Sequence, residues 1–388
     1  MVASISFFPV SNGDMTLVTL DNGQTVLIDA NIRKAADSDS EDTPGVATEL
    51  RDRLKEDDKG RHYVDAFLLS HPDADHIGGL RNHFHLGPPA DLSKEDNKIL
   101  IREMWSSPIV FKRASSKKPL CEDAKAWAKE ARRRVKRFED SGMATEDGDR
   151  ILIMGEDENG KTDDVLDIVI KIDECTSSCN RHSEGVFEAR LLGPLSADND
   201  EDEEELSKND SSVILRFSIK GGGVSDQCRF LTGGDAGVSI WKRLWQQHGA
   251  SNSDWLEYDI LQSPHHCSWR SMSFDSWSDL GEKAKVDPDA RDALSRTRKG
   301  AIVIASSKPI KADDDNPPHD RAKREYVEIV DRDGERFICT DEHWSESGTV
   351  LEYEIKASGV VKKLAAATAG AASSMGVGAT AAQPRQHG

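Results

Sequence analysis

The sequence predicts an α/β protein, a sandwich of two mixed β-sheets flanked by helices. Three observations carry that reading. Strand-like and helical segments interleave along the chain instead of falling into separate blocks. Short apolar runs near the N-terminus are joined by Asp21-Asn22-Gly23, a hairpin signal that a doubly wound parallel sheet does not need. With 388 residues and 37% hydrophobic content, the chain is long enough to bury a large core.

The elements follow in order. Ser4–Val10, Met15–Leu20 and Gln24–Asp29 are short apolar or alternating runs and read as strands. A helix is expected over Val46–Glu56. Val64–Ser70 is apolar, ends at a polar cluster and reads as a buried strand. A helix rich in Lys and Arg is expected over Cys121–Phe138. Strands are expected over Ile151–Met154, Val165–Ile172, Val186–Leu192, Ser212–Ile219 and Cys228–Thr232. Trp241 and Trp245, four apart, mark a helix. Tyr258–Gln262 and Ala301–Ala305 read as strands, Pro288–Arg296 and Arg321–Val330 as helices, and two strands close the chain. No internal repeat is present. Residues 1–363 read as one domain, with a helical insertion over 81–150 and an acidic loop over 196–208. Residues 364–388 form an Ala/Gly-rich tail with no apolar stripe to bury, expected to be disordered.

Charge narrows the function. The formal net charge is −19, too negative for a chain that coats nucleic acid with its whole surface. Residues 198–205 hold seven acids and one Asn, a block expected to be solvated. No apolar run approaches the roughly 18 residues of a membrane span, so no membrane partner is expected. Met1–Asp14 lacks a basic segment and a cleavage pattern, and the six Cys are thinly spread. A reduced, cytoplasmic protein is the expectation.

The sharpest feature is His71-Pro72-Asp73-Ala74-Asp75-His76-Ile77-Gly78-Gly79, directly after the buried strand. It places four metal-ligand side chains within six residues at a strand end, where a loop can wrap an ion. An ordinary polar turn with a capping Asp is the competing reading. Two later segments add to it. The strand Cys228–Thr232 leads into Gly233-Gly234-Asp235, and a carboxylate has two oxygens with which to bridge two ions. Tyr258–Gln262 leads into Ser263-Pro264-His265-His266-Cys267-Ser268. Three successive strand ends with ligand chemistry weigh more together than singly.

These motifs resemble the metallo-β-lactamase-fold hydrolases, an αββα family, and most closely the branch related to the hydrolase domain of ComEC-type DNA-uptake proteins. The family loop is His-x-His-x-Asp-His, and this branch often carries Asp at the second ligand, as Asp73 here. Asn12-Gly13-Asp14 with Val26–Ala30 is similar to the family's opening hairpin. Leu192-Gly193-Pro194, Asn209–Leu215 and Phe230–Asp235 follow the branch's order. His265-His266-Cys267-Ser268 resembles its His-His-Gly-Ser, and Asn316-Pro317-Pro318-His319 its late Asn-x-x-His-Pro region. The similarity runs over about residues 4–340. Cys267 stands where Gly is usual, an extra Gly precedes Asp235, and the family's middle His ligand has no clear match. His182 is a candidate in a polar stretch that reads more readily as surface loop.

The resemblance implies two divalent metal ions, Zn²⁺ or Mn²⁺. His71, Asp73 and Asp235 would bind one. Asp75, His76, Asp235 and His266 would bind the other, with His265 near the substrate; the reverse assignment of the His pair stays open. Asp75, His265 and His319 are the residues expected in the reaction itself. Asp73 in place of an imidazole moves the site toward harder ions. A water shared by two such ions loses a proton near neutral pH and becomes a nucleophile. Asp29 is expected either to orient the ligand loop or to be a plain strand-end Asp. Cys267 reads as a small buried thiol. His319 either contacts a substrate phosphate or caps the helix that begins near Asp320.

Two further patterns are open to a functional reading. Cys175, Cys179 and His182 have a loose structural-zinc spacing without a fourth ligand. The basic helix, with Lys125, Lys129, Arg132, Arg133, Arg134, Lys136 and Arg137, either guides a phosphate backbone or pairs with Glu130 and Glu139. The expected function is therefore a dinuclear metal-dependent phosphodiesterase or nuclease, with a phosphodiester, DNA or RNA as substrate. Hydrolysis of another ester or amide, and a degenerate binding module, are the alternatives.

Overall fold

The computed structural model describes residues 1–34, 43–108, 120–142, 145–155, 162–195, 209–313, 316–330 and 333–364. The acidic run and residues 365–388 of the tail lie outside these residues.

Two mixed sheets stack face to face. The strands of the first half are β1 (Ala3–Phe7), β2 (Thr16–Thr19), β3 (Thr25–Ile28), β4 (Ala30–Asn31), β5 (Lys55–Glu56), β6 (His62–Leu69), β7 (Leu100–Ser106), β8 (Arg150–Met154) and β9 (Val169–Ile170). Those of the second half are β10 (Cys175–Thr176), β11 (Phe187–Gly193), β12 (Ile214–Gly221), β13 (Val224–Leu231), β14 (Tyr258–Gln262), β15 (Thr297–Ala305), β16 (Phe337–Cys339), β17 (Leu351–Lys356) and β18 (Gly359–Lys362). The first sheet runs β18-β17-β1-β2-β3-β6-β7-β8-β9, with β5 beside β6. It is antiparallel up to β3 and parallel from β3 to β9. The second sheet runs from β10 to β16 in chain order and turns from antiparallel to parallel after β13.

The side chains of β6 show why the layers form. Val64, Phe67 and Leu69 join a core on the outer, helix-covered face, while Ala66 and Leu68 join the core between the sheets. A strand buried on both faces has to be apolar throughout, which is how Val64–Ser70 reads. The central core meets Phe187, Phe217, Phe230 and Ile260 of the second sheet. Phe7 and Phe230 touch edge to face, their centroids 5.7 Å apart.

The helices are α1 (Val46–Arg51), α2 (Ala74–Ile77), α3 (Leu80–His83), α4 (Glu122–Ser141), α5 (Val238–His248), α6 (Trp277–Leu280), α7 (Pro288–Leu294), α8 (Asp320–Val330) and α9 (Thr340–Ser347). Residues of α1 and α4 cover the outer face of the first sheet, and residues of α5, α7 and α8 that of the second. The molecule is a four-layer αββα sandwich. No helix among the described residues is long and apolar enough to cross a membrane.

Three local expectations change. The helix expected over Val46–Glu56 ends at Arg51, and Lys55–Glu56 pairs with β6 as β5. The segment 81–150 is not simply a helical insertion, because it contains β7, which lies between β6 and β8 in the first sheet. The run Val165–Ile172 is mostly a 3₁₀ helix, Asp163–Ile168, with only Val169–Ile170 in the sheet. Its apolar Val165 and Ile168 pack on the outer core from helical turns. A short apolar run does not distinguish strand from helix by period.

The basic helix α4 is bound into the fold. Arg134 is buried, and its guanidinium donates to Glu130 Oε1 and to the backbone oxygens of Arg150 and Ile101. Arg133 bridges Glu130 and Asp149, and Arg137 also reaches Asp149. Lys125 pairs with Glu122, and Lys136 with Glu139 and Asp140. Five of its seven cations are thus in ion pairs within the chain. Of the two readings of this helix, internal pairing is what the packing shows.

Glu103 on β7 adds a pH dependence remote from the strand ends. Its carboxylate accepts from Trp105 Nε1 at 2.7 Å and from the Asn180 amide at 3.2 Å. Burial nevertheless dominates and pushes its pKa up from 4.5 to about 7. The fold therefore favours the protonated acid. That stabilisation is complete below 4.5 and is lost as pH rises through about 7. Urea denaturation is expected to show stability falling by up to roughly 3 kcal/mol across this window. Glu103→Gln should flatten that slope; an equal slope in the variant removes Glu103 as its source.

Candidate metal centre

Four chain segments meet at one end of the strands. The first is the loop after β6. Asp73 occupies the N-cap position of α2, but its side chain makes no capping hydrogen bond. Its Oδ2 instead lies 3.8 Å from His71 Nε2. Gly78-Gly79 lets the loop close against β4: Ile32 N donates to Gly78 O at 2.9 Å. Gly79 has φ +85°, and a Cβ there would stand 2.6 Å from Ile32 O. Only glycine fits both demands.

The second segment follows β13. Gly234 has φ +46°, and a Cβ on Gly233 would meet the Trp241 ring at 2.7 Å. The two glycines place Asp235 at the centre of the site, 3% exposed. Its amide donates to Ser212 Oγ at 3.0 Å. The third segment follows β14. His265, His266 and Cys267 have φ of 50°, 53° and 66°, three consecutive left-handed residues. Non-glycine residues rarely adopt this conformation, at roughly 1–2 kcal/mol each. Such strain persists where the surroundings over-determine it, and here it turns both imidazoles toward Asp235. The fourth segment is the first hairpin, which brings Asp14 and Asp29.

Asp235 divides the cluster. Its Oδ1 lies 3.0 Å from His76 Nε2 and 3.4 Å from His266 Nε2. Its Oδ2 lies 3.6 Å from His71 Nε2 and 3.5 Å from His265 Nε2. Asp75 Oδ2 stands 3.5 Å from His266 Nε2. One ligand atom from each of Asp75, His76, Asp235 and His266 falls within 4.8 Å of the others. His71 Nε2 and Asp235 Oδ1 are buried and meet no hydrogen-bond partner of good geometry. His76 Nε2 and His266 Nε2 lie 3.3 Å apart. Buried imidazole nitrogens and carboxylate oxygens converging on one point, two of them without a partner, fit a divalent cation.

The electrostatics agree. Burial alone would push the His76 imidazole down, but Asp235 and Asp29 raise it well above its usual value. Burial also opposes the charge on His266, yet Asp235 and Asp14 raise it to about 10. Burial opposes the Asp235 charge as well, but the surrounding imidazoles hold its carboxyl well below the usual range. For His265 burial wins, and the ring is pushed toward its neutral form. The carboxylates thus favour the protonated forms of His76 and His266, and a bound ion would compete with those protons.

Two carboxylates stand behind the candidate ligand rings. Asp29 Oδ2 lies 2.7 Å from His76 Nδ1, and the same side chain accepts from Ser70 N and Oγ at 2.7 and 2.5 Å. Of its two sequence readings, orientation of the loop is the one the geometry shows. Asp14 was quoted in the sequence only as part of the hairpin. It is 3% exposed, with Oδ1 3.3 Å from His266 Nδ1, a nitrogen that makes its hydrogen bond to Ser306 O at 3.1 Å. A lone Asp after a Gly carries no signal without the fold. Asp29→Asn and Asp14→Asn are each expected to weaken zinc binding by roughly 10–100-fold, read by competition with a chromophoric chelator. Unchanged affinity removes the orienting role.

Other candidates fall elsewhere. His319 is not in the cluster: its Nδ1 accepts from the Arg321 amide at 3.1 Å at the start of α8, so it caps that helix as the alternative had it. Its ring lies 4.9 Å from that of Trp277. Cys267 is fully buried in the apolar layer beneath α5, with its thiol pushed up by burial. Cys179 and His182 bridge each other beside Gln24, at the start of β3 and away from Asp29. Cys175, Cys179 and His182 are not among the groups of described residues placed to hold a metal.

A cavity of about 720 Å³ opens beside Asp235 and His265, with Asn209, Arg270, Phe274, Trp277 and His319 in its wall.

Fold and cluster together define a four-layer αββα protein with a candidate metal centre at its strand ends. The chain matches no protein-family model and none of the curated proteins. Among solved structures it is similar to the isothiocyanate hydrolase from Delia radicum gut bacteria, with 10% identity over 87% of this chain and 96% of that one and a TM-score of 0.37. It is also similar to Igni18, a metallo hydrolase from the hyperthermophilic archaeon Ignicoccus hospitalis KIN4/I, with 11% identity over 87% and 94% and a TM-score of 0.34. These are similarities of overall trace; the chemistry of the centre rests on its own residues.

Proposed function

We propose that the protein is a dinuclear metal-dependent hydrolase acting on a small phosphodiester. The observation that carries this reading is Asp235, whose two oxygens face two separate sets of imidazoles. His71, Asp73, His265 and Asp235 would hold one ion. Asp75, His76, His266 and Asp235 would hold the other. His265 thus supplies the imidazole that no middle-chain residue provides. When bound, such ions activate water near neutral pH and stabilise charge on the attacked group.

The chain's own residues do the rest. Asp29 fixes ring orientation at His76, and the Ser306 carbonyl, with Asp14 beside it, does so at His266. The half-exposed Asp75 carboxylate is held ionised by His266 and His76 against the effect of burial, which suits an anionic ligand. His265 lines both the cluster and the cavity, so substrate reaches the centre past it. The cavity volume suits a small molecule or a single nucleotide unit. The internally paired basic helix lends no support to a duplex track. Resemblance to the ComEC-type hydrolase branch motivates the phosphodiester.

The test is metal content together with hydrolysis. Purified protein is assayed with Mn²⁺ and with Zn²⁺ on bis(p-nitrophenyl) phosphate, short DNA and RNA, and carboxylic esters. The expected result is two ions per chain and phosphodiester cleavage that disappears in the Asp75→Ala, His76→Ala double variant. Cleavage only of carboxylic esters transfers the reading to a non-phosphate hydrolase. No bound ion after supplementation leaves a binding module.

A further inference from the structure

The cavity beside the cluster has a composition that the hydrolase reading does not use. Phe274 lies in its wall and is 62% exposed. Trp277 stands next to it, half-buried. Its ring is set by edge contacts with Trp269, at 5.8 Å and 72°, and His319, at 4.9 Å and 69°. Trp269 is itself fixed, because its Nε1 donates to Asp275 O at 2.9 Å. The wall thus presents aromatic surface on a braced support, and water is the poorest occupant for it.

The cations nearby separate into two kinds. Lys242, which approaches the Phe274 ring, is paired with Asp287. Arg324, beside Trp277, is paired with Asp320 and Glu282, and Arg321, beside Trp269, with Glu325. Arg270 differs. It lines the cavity and is exposed, and its side chain forms no ion pair or hydrogen bond among the described residues. A guanidinium with five unused donors beside an aromatic wall matches an anion joined to a flat ring.

We propose that this cavity is a recognition site for a flat aromatic ring joined to an anionic ester, with the ring against Trp277 and Phe274 and the anion at Arg270. Two sources share that chemistry, a nucleoside phosphate and a simple aryl phosphate. The identity of the anion rests on the hydrolase reading; the ring site does not. Stacking on an aromatic side chain and a charge-assisted contact each contribute roughly tenfold to affinity.

The test is binding rather than turnover, so it stands apart from the hydrolase reading. Calorimetry compares AMP, ribose 5-phosphate, adenosine and phenyl phosphate on the full chain, with and without Zn²⁺. AMP or phenyl phosphate should bind about tenfold more tightly than ribose 5-phosphate, and AMP about tenfold more tightly than adenosine. Whichever of AMP and phenyl phosphate binds better names the source. Phe274→Ala and Trp277→Ala should remove the advantage of the ring, with Trp277→Phe restoring part of it. Arg270→Gln should remove the advantage of the phosphate. Phe274 and Arg270 are exposed, so their variants keep the fold. The proposal is overturned if ribose 5-phosphate binds as tightly as AMP and phenyl phosphate, or if the Phe274 and Arg270 variants bind all four alike. Hydrolysis without ring preference keeps the hydrolase and removes this site; ring binding without hydrolysis does the reverse.

Discussion

Asp235→Asn is expected to empty both halves of the centre. The loss of metal affinity should exceed the roughly 10–100-fold that follows removal of an orienting partner. Both oxygens of this side chain face imidazoles, Oδ1 toward His76 and His266 and Oδ2 toward His71 and His265. An amide keeps the shape but loses the charge and one acceptor. It turns an NH₂ toward one histidine pair, where a cation would sit. Elemental analysis of the variant should find fewer than one ion per chain, and hydrolysis should fall to background. A variant that retains two ions rules out a bridging role. The carboxylate also balances protonated imidazoles in the metal-free protein, so thermal unfolding should be measured beside metal content.

Glu130→Ala should be the most destabilising single change on α4, by about 3–5 kcal/mol. Glu130 is 3% exposed and holds both Arg133 and Arg134, with Arg134 1% exposed. Removing it strands a guanidinium in the interior with only carbonyl oxygens to face. The same substitution takes away the acceptor of the Gly87 amide. Lys136→Ala, which breaks an exposed pair on the same helix, should leave the denaturation midpoint unchanged. Equal effects of the two changes contradict a structural role for the buried pair. The contrast matters for function, because it separates a helix whose cations are committed to folding from one that offers them to a ligand.

Much of the centre is legible in the sequence. The loop from His71 to Gly79 compresses four candidate ligands and two glycines into one strand end, and local density of that kind needs no tertiary information. The strands before Asp235 and His265 were readable for a similar reason: apolar runs that stop at glycine or proline. The architecture was readable from interleaved elements and the first hairpin. The sheet membership of residues 100–106 was not, because β7 lies in a stretch whose helical content dominates the pattern. The basic helix was read as offering two fates. Only packing chose between them, since Asp149 and the carbonyls of Arg150 and Ile101 lie on other elements.

Ligand chemistry and its order along the chain are thus properties of the sequence, because each motif is local and its residue types have few other uses together. The division of the imidazoles between the two oxygens of Asp235 is a property of the folded state. So are the turning of His265 toward Asp235 and the arrival of Asp14 beside His266. Each depends on strands far apart in the chain being brought into register by two stacked sheets. A contact of that range leaves no local trace. The free energy that sets its geometry is the burial of the apolar layers, and the site takes its shape from where they come to rest.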